Sequence, residues 1–286
     1  MAEFETHAVR LPAGTLDYVD TGGDGPVVVL VHGLAMDGSV WRYVVDELSP
    51  GHRVVVPTLP LGSHRGPIEP GTDLSPDGVA RVLGDFLDAL DLTGITLVQN
   101  DASTGLLLAV SDQPAAARIA RLVLASVEAF DSFPPGLPGR SVWMAAKLPG
   151  GLEATVQPLR FHALRRLPMA YGLMSKRPVP RAVTDRWVRP LLGSAEARRD
   201  LRAYLRGARP GRLLEAARQA PGFDRPVLVV WAAEDRVMPL AHGRRLADLF
   251  PQGSYLEIED SRTLISEDRP TALADAITSF VAGKQP

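Results

Sequence analysis

Short apolar runs alternate with amphipathic segments through the first third of the chain. Pro26–Val31 and Arg53–Pro57 are continuous runs rich in β-branched residues, which is typical of strands buried on both faces. Between them, Ser39–Leu48 places apolar side chains on one face of a helix. A second helix is predicted after Ser75, an N-cap residue followed by proline, because apolar residues then recur at helical spacing through Leu90.

The alternation continues around a polar turn near residue 100. The pattern predicts a strand at Ile95–Val98, a turn at Asp101, a helix at Gly105–Gln113 and a strand at Arg121–Ala125. Strands that are separated by helices pair in parallel through crossover connections. The sequence therefore predicts an α/β fold with a mostly parallel, twisted sheet flanked by helices.

This pattern breaks after Glu128, where a proline-rich segment at 131–138 cannot continue a regular element. Helical segments with proline breaks follow to about Pro221, without a convincing strand. The alternation then returns as strand Pro226–Trp231, helix Leu240–Phe250, strand Ser254–Ile258 and helix Thr271–Val281. We therefore predict an α/β core formed by residues 1–131 and 222–286, with a helical cap inserted at 132–221.

Composition and charge narrow the function classes. The chain has 286 residues, 45% of them hydrophobic, which suffices for one large domain with a substantial core. Its formal net charge of −2 gives no reason to expect nucleic acid or an anionic membrane as partner. The charge is divided unevenly, since Arg140 to Arg218 hold 17 Lys or Arg and 5 Asp or Glu. Two interpretations follow: a basic cap paired with an acidic core, or a cap that favours an anionic substrate.

Several ligand and targeting classes have no support in the sequence. There is no cysteine, no plausible cluster of metal ligands and no glycine-rich phosphate loop, so we expect neither a metal nor another cofactor. The first residues lack the pattern of a signal peptide, and no apolar run is long enough to span a bilayer. We expect a cytoplasmic protein that acts on a small molecule, as a monomer or a homodimer.

The most informative stretch is the polar turn at Asp101. A β-rich run stops there, small residues follow and another apolar run begins, which is the layout of a strand-turn-helix nucleophile elbow. A carboxylate at the tip could attack a saturated carbon that bears a leaving group, or it could move a proton. The alternative is structural, because an aspartate before a helix can cap its amides.

In this order and spacing, the motifs resemble the α/β-hydrolase fold family over nearly the whole chain. They are His32-Gly33 after an apolar strand, the elbow at Asp101, Glu128 after the next strand, the helical insertion, Trp231–Pro239 and Asp260–Leu264. With an aspartate at the elbow, the chain is similar to haloalkane dehalogenases, fluoroacetate dehalogenases and epoxide hydrolases, and less similar to serine esterases and lipases.

The resemblance implies a role for each matching residue. Asp101 is the expected nucleophile, and the ester that it forms is hydrolysed in the family by a histidine-activated water. The backbone amides of Leu34 and Ala102 match the oxyanion-hole donors. Asp235 matches the usual acid position, and Glu128 matches the alternative acid position of some dehalogenases.

Three departures from the family pattern bear on the chemistry. Thr263 occupies the position of the family's histidine, and a hydroxyl cannot activate water as an imidazole does. Ala102 replaces the tryptophan that helps to bind halide in haloalkane dehalogenases, which argues against simple dehalogenation. Gln99, Ser103 and Thr104 stand where very small residues usually relieve the tight turn. Without the histidine, an ester on the nucleophile would persist.

Another histidine could replace the missing one. His64 is the strongest candidate, because it lies in the loop beyond the carboxyl end of a strand, where open α/β sheets place their sites. A solvated loop residue is the alternative there. His162 could reach a pocket from the cap, whereas His32 is expected to be structural. The remaining histidines, expected at the surface, are His7, His52 and His242.

The residues predicted to contact substrate lie around the elbow and in the cap. They are His32, Asn100, Trp143, His162 and Thr263. Aromatic residues of a cap belong more often to a core than to a substrate site, so Trp143 carries both interpretations.

Three functions fit these residues. The first is a hydrolase in which Asp101 attacks an epoxide, a halide or an activated ester. The second is a cyclase, lyase or isomerase in which Asp101 acts as acid or base and the cap excludes water. The third is a degenerate member of the fold that binds a small ligand without turning it over. The fold alone does not decide among them, since one fold supports many chemistries.

Overall fold

An eight-stranded sheet organises the chain, and the computed structural model describes residues 5–209 and 211–284. The strands are β1 (Thr6–Leu11), β2 (Gly14–Asp20), β3 (Val27–Val31), β4 (Arg53–Pro57), β5 (Ile95–Asp101), β6 (Ile119–Val127), β7 (Val227–Ala232) and β8 (Gly253–Ile258). The helices are α1 (Arg42–Leu48), α2 (Pro76–Ala89), α3 (Thr104–Ala109), α4 (Gly136–Lys147), α5 (Gly151–Val156), α6 (Arg181–Gly193), α7 (Ala195–Gly207), α8 (Arg212–Gln219), α9 (Leu240–Ala247), α10 (Ile265–Asp268) and α11 (Pro270–Val281). Within these ranges, no helix combines the length and the apolar content that crossing a bilayer requires. The alternation of the two element types confirms the predicted α/β class.

The strand order determines where a site can form. It runs β1-β2-β4-β3-β5-β6-β7-β8, and the neighbouring pairs from β4 to β8 are all parallel. The chain winds from β3 outward to β4 and then returns past β3 to β5. Ligands of open α/β sheets bind at such a reversal, beyond the carboxyl ends of the strands.

An antiparallel edge was absent from the sequence prediction. β1 and β2 form a hairpin, and β2 pairs antiparallel with β4. Both strands alternate between more and less exposed residues, so they lack the continuous apolar runs that mark the buried strands. The sheet is therefore mostly parallel, with one antiparallel border.

Two predicted helices differ from the observed elements for local reasons. The segment Ser39–Leu48 is a 3₁₀ turn at Gly38–Trp41 followed by α1, and Asp37 caps the turn by accepting from the Ser39 amide. The helix predicted at Gly105–Gln113 ends at Ala109, and a second 3₁₀ turn begins at Pro114. Proline disfavours a helical conformation for the residue before it, so Gln113 could not be part of the predicted helix, which ends four residues earlier.

Helices α4 to α8 lie between β6 and β7, and the segment from Arg140 to Arg218, loops included, holds 17 of the 31 Lys and Arg residues. Salt bridges join them and their connecting loops to acids elsewhere in the chain, namely Arg177 to Asp260 at 2.7 Å, Arg186 to Asp37 at 3.3 Å and Arg212 to Asp77 at 2.7 Å. These pairs support the interpretation in which a basic inserted segment pairs with acidic residues of the α/β core.

Candidate active site

Asp101 lies at the tip of a strained turn between β5 and α3. Its φ is +66°, a left-handed conformation that residues with a Cβ rarely adopt. Because β5 pairs with β3 at the reversal of the strand order, the turn lies in the crevice where ligands are expected. Strain of this kind persists only where the surrounding structure maintains it, and it clusters at functional positions.

The loop after β3 holds the Asp101 carboxylate. The Leu34 amide donates a hydrogen bond to Asp101 Oδ2 at 3.0 Å. A Cβ on Gly33 would lie 2.1 Å from the same oxygen, so only glycine permits this approach. Ala102, the second predicted amide donor, follows Asp101 directly in the chain.

The turn accommodates a large residue because Gln99 forms hydrogen bonds within it. Gln99 Oε1 accepts from the Gly105 amide at 2.8 Å, and its Nε2 donates to Asn100 O at 2.8 Å. A Cβ on Gly105 would come within 3.2 Å of the Gln99 side chain. Gly105 therefore supplies the small residue that the sequence analysis sought at positions 99, 103 and 104.

A cavity of about 110 Å³ lies against Asp101, between the sheet and the inserted helices. Its polar side chains are Asp101, Glu128, Thr155 and Tyr171, and the remaining lining is apolar or glycine. Tyr171 donates its hydroxyl to Ala35 O at 2.7 Å, so it ties the inserted segment to the loop after β3. This lining favours a small apolar ligand with one reactive polar centre.

Burial raises the pKa of both carboxyl groups in the cavity. Desolvation raises the pKa of Asp101 to about 6, against the hydrogen bond from Leu34 and with repulsion from Asp235. Desolvation and the charge of Asp101 raise the pKa of Glu128 well above its usual value. Near neutral pH, Asp101 is therefore mostly ionised, and burial beside that charge favours the protonated form of Glu128.

Glu128 lies beside Asp101 because their strands are neighbours. The Glu128 amide donates to Asp101 O at 2.8 Å, and the β5–β6 register pairs Asp101 with Val127. The Glu128 side chain is 5% exposed, and its Oε2 has no hydrogen-bond partner in the described part of the chain. A buried polar atom without a partner is costly and calls for an explanation, such as a chemical role.

Asp235 and Thr263 form a hydrogen-bonded pair. The Thr263 hydroxyl donates to Asp235 Oδ1 at 2.7 Å, and the Val237 and Met238 amides donate to the same oxygen at 2.9 Å. Asp235 Oδ2 has no partner among residues 5–209 and 211–284. Neither side chain lines the cavity, so Asp235 acts on Asp101 through its charge.

Asn100 bonds to the backbone and does not face the cavity. Its Nδ2 donates to Ala125 O at 2.7 Å and to Thr263 O at 2.8 Å. These bonds join the end of β5 to β6 and to the loop that carries Thr263. Asn100 thus positions the loop and makes no contact with the cavity.

The candidate histidines lie away from the cavity. His32 is fully buried, with Nδ1 2.8 Å from Gly33 O and with Nε2 accepting from the Leu59 amide at 2.9 Å. His64 is also buried, and its Nε2 lies 3.2 Å from Asp200 Oδ2. His162 lines a different pocket, among basic residues of the inserted segment. Across the described residues, no histidine lines the cavity that contains Asp101.

Two histidines expected at the surface are at least partly buried. His52 is 9% exposed, and its Nδ1 lies 3.1 Å from Leu48 O at the end of α1. The His242 ring packs edge-on against Phe130, with ring centroids 5.0 Å apart. Position beside a strand or within a helix did not reveal these packing partners.

The aromatic residues of the inserted segment divide between cavity, core and surface. Trp143 does not line the cavity, and Lys147 Nζ lies 3.1 Å from its ring centroid. Trp187 is fully buried and donates to Ser39 Oγ at 3.0 Å, whereas Phe161 is 61% exposed. Tyr171 reaches the cavity from an irregular stretch between the inserted helices. No helical or strand period in the sequence there could indicate where its side chain points.

Comparison with known proteins agrees with this architecture. A family model described as alpha/beta hydrolase fold matches residues 26–270. Haloalkane dehalogenase 2 of Mycobacterium tuberculosis is 26% identical, over 96% of this chain and 94% of its own. Cis-3-alkyl-4-alkyloxetan-2-one decarboxylase of Xanthomonas campestris is 28% identical, over 94% of this chain and 93% of its own. The crystal structure of a haloalkane dehalogenase from Bradyrhizobium elkani matches with a TM-score of 0.79 at 18% identity and covers 98% of both chains, a likeness of fold.

Proposed function

The chain belongs to the alpha/beta hydrolase fold family, and we propose that it is an enzyme whose Asp101 attacks a small apolar electrophile. One observation carries the proposal. A strained turn holds this carboxylate against an apolar cavity, where the Leu34 amide binds one of its oxygens. Epoxides, alkyl halides and activated esters are the substrate classes that such a nucleophile would attack.

The surroundings of Asp101 favour covalent catalysis. With Oδ2 bound to Leu34, the second carboxylate oxygen is the one available to a substrate. An apolar cavity excludes water from the nucleophile and orients a small substrate against it. When water later adds to the resulting ester, the Leu34 and Ala102 amides are the proposed donors to the oxyanion.

The relatives are consistent with this chemistry. Haloalkane dehalogenases occur among both the sequence relatives and the structural neighbours, at full-length coverage. The absence of an indole after the nucleophile, where Ala102 stands, makes an epoxide or an ester a better first substrate than a halide.

Isotope labelling tests the covalent step. A single turnover of styrene oxide, with enzyme in excess and in water enriched in the heavy oxygen isotope, should place the label in the Asp101 carboxylate. The reason is that water attacks the ester at the carboxyl carbon, so the product takes its new oxygen from Asp101. Proteolysis and mass spectrometry of the peptide that contains Asp101 measure this. The label in the diol alone, with unlabelled Asp101, would instead indicate direct attack by water.

Gly33→Ala should reduce turnover by about 10²-fold or more, because misplacing a reacting group by about 1 Å has an effect of that size. The new Cβ would lie 2.1 Å from Asp101 Oδ2 and must displace the carboxylate. Gly51→Ala is the matched control, since a Cβ there meets nothing within 4 Å. Steady-state rates of the two variants and their melting temperatures separate lost positioning from lost folding. Full activity of the Gly33 variant would contradict the proposed placement of the nucleophile.

A second candidate function is a reaction on the same carboxylate that does not consume water. The specific observation is that the described lining of the cavity contains no nitrogen base to activate water. The Xanthomonas relative is named as a decarboxylase of an oxetanone, a strained cyclic ester. Incubation with a dialkyl oxetanone, followed by gas chromatography, distinguishes an alkene product from a hydroxy acid.

A further inference from the structure

Glu128 is the second carboxyl group in the cavity, and the role that the family resemblance implies for it lacks its partner. As an acid that orients a histidine it would need an imidazole nearby, and none lines the described cavity. Its Oε2 is buried and unpartnered among the described residues, although its neighbour Asp101 lies on the adjacent strand. A protonated carboxyl group in this position is a proton donor that points to no protein acceptor.

Glu128 is also shared between two cavities. Besides the apolar cavity, it lines a second one of about 170 Å³, together with Ser103, Phe133 and Arg209. Arg209 is exposed, and Leu214 in the same lining is 37% exposed, so this second cavity lies toward the surface. This second cavity therefore offers water a route to Glu128 besides the apolar cavity.

Few charged or titratable groups surround Glu128. Those that line its two cavities or lie on the elements packed around it are Asp101, Asp131, Tyr171, Tyr204, Arg209, Arg212 and His242. Arg212 is paired with Asp77 at 2.7 Å and Arg209 with Glu215 at 3.4 Å, while the Asp131 side chain is 78% exposed. Asp101 is therefore the group whose charge acts most directly on Glu128, and it loses that charge when it becomes an ester.

We propose that Glu128 performs both proton transfers of the reaction: it protonates the leaving oxygen and then, as a carboxylate, activates the water that hydrolyses the Asp101 ester. This inference rests on the proposed function and deepens it by naming the substrate as an epoxide. A halide leaves without a proton and needs N–H donors, and no side chain of the described lining carries one. An alkoxide, in contrast, needs a proton, which a protonated Glu128 can supply.

The first step forms the ester. An Asp101 carboxylate oxygen attacks one epoxide carbon, and the carbon–oxygen bond of the ring breaks with its electron pair on oxygen. That oxygen takes the proton of the Glu128 carboxyl group. The products are a hydroxyalkyl ester of Asp101, now neutral, and a Glu128 carboxylate. With the negative charge on Asp101 gone, repulsion no longer holds the proton on Glu128.

The second step regenerates both groups. Glu128 takes a proton from water, whose oxygen adds to the carboxyl carbon of the ester, and the Leu34 amide stabilises the oxyanion. As the intermediate collapses, the bond to the alkyl oxygen breaks and that oxygen takes the proton back from Glu128. The other proton of the water remains on the Asp101 carboxyl group and passes from there to Glu128, so Asp101 is again a carboxylate and Glu128 is again protonated. The sum is epoxide plus water giving a vicinal diol, and one residue acts first as acid and then as base, as in retaining glycosidases.

The test compares three variants on styrene oxide, with phenethyl bromide as a halide probe. Glu128→Gln should slow diol release by about 10²-fold or more, the usual size of a lost acid–base contribution, and should accumulate the Asp101 ester by intact mass. Asp101→Asn should form neither ester nor diol. Glu196→Gln, an exposed change on α7, is the matched control and should behave as the parent.

The outcomes separate this inference from the proposed function. Diol release by the Glu128→Gln variant at the parental rate overturns the role of Glu128 and leaves Asp101 as nucleophile. A parent protein that itself retains the ester indefinitely does the same. Parent protein that forms neither ester nor diol overturns both, and faster turnover of the bromide than of the epoxide overturns the substrate class.

Two further readings exclude a merely structural role. Hydrolysis of the ester by the parent should rise with pH through one ionisation, and this dependence should disappear in the Glu128→Gln variant. Glu128→Ala should recover ester hydrolysis when formate is added, because a small carboxylate can occupy the space of the missing side chain. Failure of formate with a folded variant, together with an unchanged pH profile in Glu128→Gln, would overturn the proposal.

Discussion

Asp101→Asn should abolish turnover while making the protein more stable. Loss of the nucleophile should lower the rate by about 10⁴-fold or more, the range in which removal of an essential catalytic side chain falls. The amide nearly preserves the shape of the carboxylate and keeps an oxygen for the Leu34 hydrogen bond, so the change acts on chemistry and not on packing. Initial rates on styrene oxide, with Asp101→Ala as a second variant, provide the measurement.

The stability gain follows from the pKa of Asp101. Its folded pKa, raised to about 6, exceeds the ordinary value of 3.8, so the folded state disfavours the charged form. The destabilisation is absent below about pH 4, develops between the two pKa values and is complete above about pH 6, where it reaches about 3 kcal/mol. A neutral asparagine avoids this destabilisation, and the variant therefore gains most at neutral and alkaline pH.

Denaturant unfolding at two pH values measures this effect. The advantage of Asp101→Asn over the parent should be larger by about 1 kcal/mol at pH 8 than at pH 5. Asp185→Asn is a comparison in which stability should change in the opposite direction. The hydrogen bond from Arg165 lowers the pKa of the partly exposed Asp185 carboxyl, so its charged form stabilises the fold. An Asp101→Asn variant that is less stable than the parent at pH 8 would indicate that the carboxylate is stabilised, not strained, in the fold.

Thr263→His should accelerate hydrolysis of the Asp101 ester by about 10³-fold, within the usual range for a positioned general base. Asp235 Oδ2, unpartnered in the described structure, would accept from the new imidazole, which could then activate water beside Asp101. Thr263 is fully buried, so the larger ring should destabilise the fold by about 1–3 kcal/mol. Single-turnover decay of the ester gives the rate.

Two comparisons make the histidine experiment decisive. Thr263→Val removes the hydroxyl that donates to Asp235 without adding a base. It should therefore leave ester decay at the parental rate and lower the free energy of unfolding by about 1 kcal/mol. Adding Thr263→His to the Glu128→Gln variant should recover turnover, because the imidazole would replace the proton transfers of Glu128. A folded Thr263→His protein with unchanged ester decay would mean that this position does not face the nucleophile.

Local patterns in the sequence were sufficient for the architecture. The apolar runs located the buried strands, the proline-rich break after Glu128 marked where the sheet gives way to helices α4 to α8, and the small residues after a β-run located the turn at Asp101. Each of these signals depends on neighbours within a few positions, since strand and helix periods are local properties of the backbone. The half-exposed strands β1 and β2 were not predicted, because their alternating burial is a weaker sequence signal than a continuous apolar run.

Which residues line the cavity was decided only by the tertiary structure. Register between β5 and β6 brings Glu128 to Asp101, and the loop after β3 reaches Asp101 only because Gly33 lacks a Cβ. The same packing places His64 against Asp200 and His32 against Leu59, away from the cavity. These partners are tens of residues apart or more in the chain, and their distances depend on strand order and side-chain packing, which no local period encodes. The sequence by itself thus determined the fold and its nucleophile candidate, whereas three-dimensional packing selected the group that can act with it.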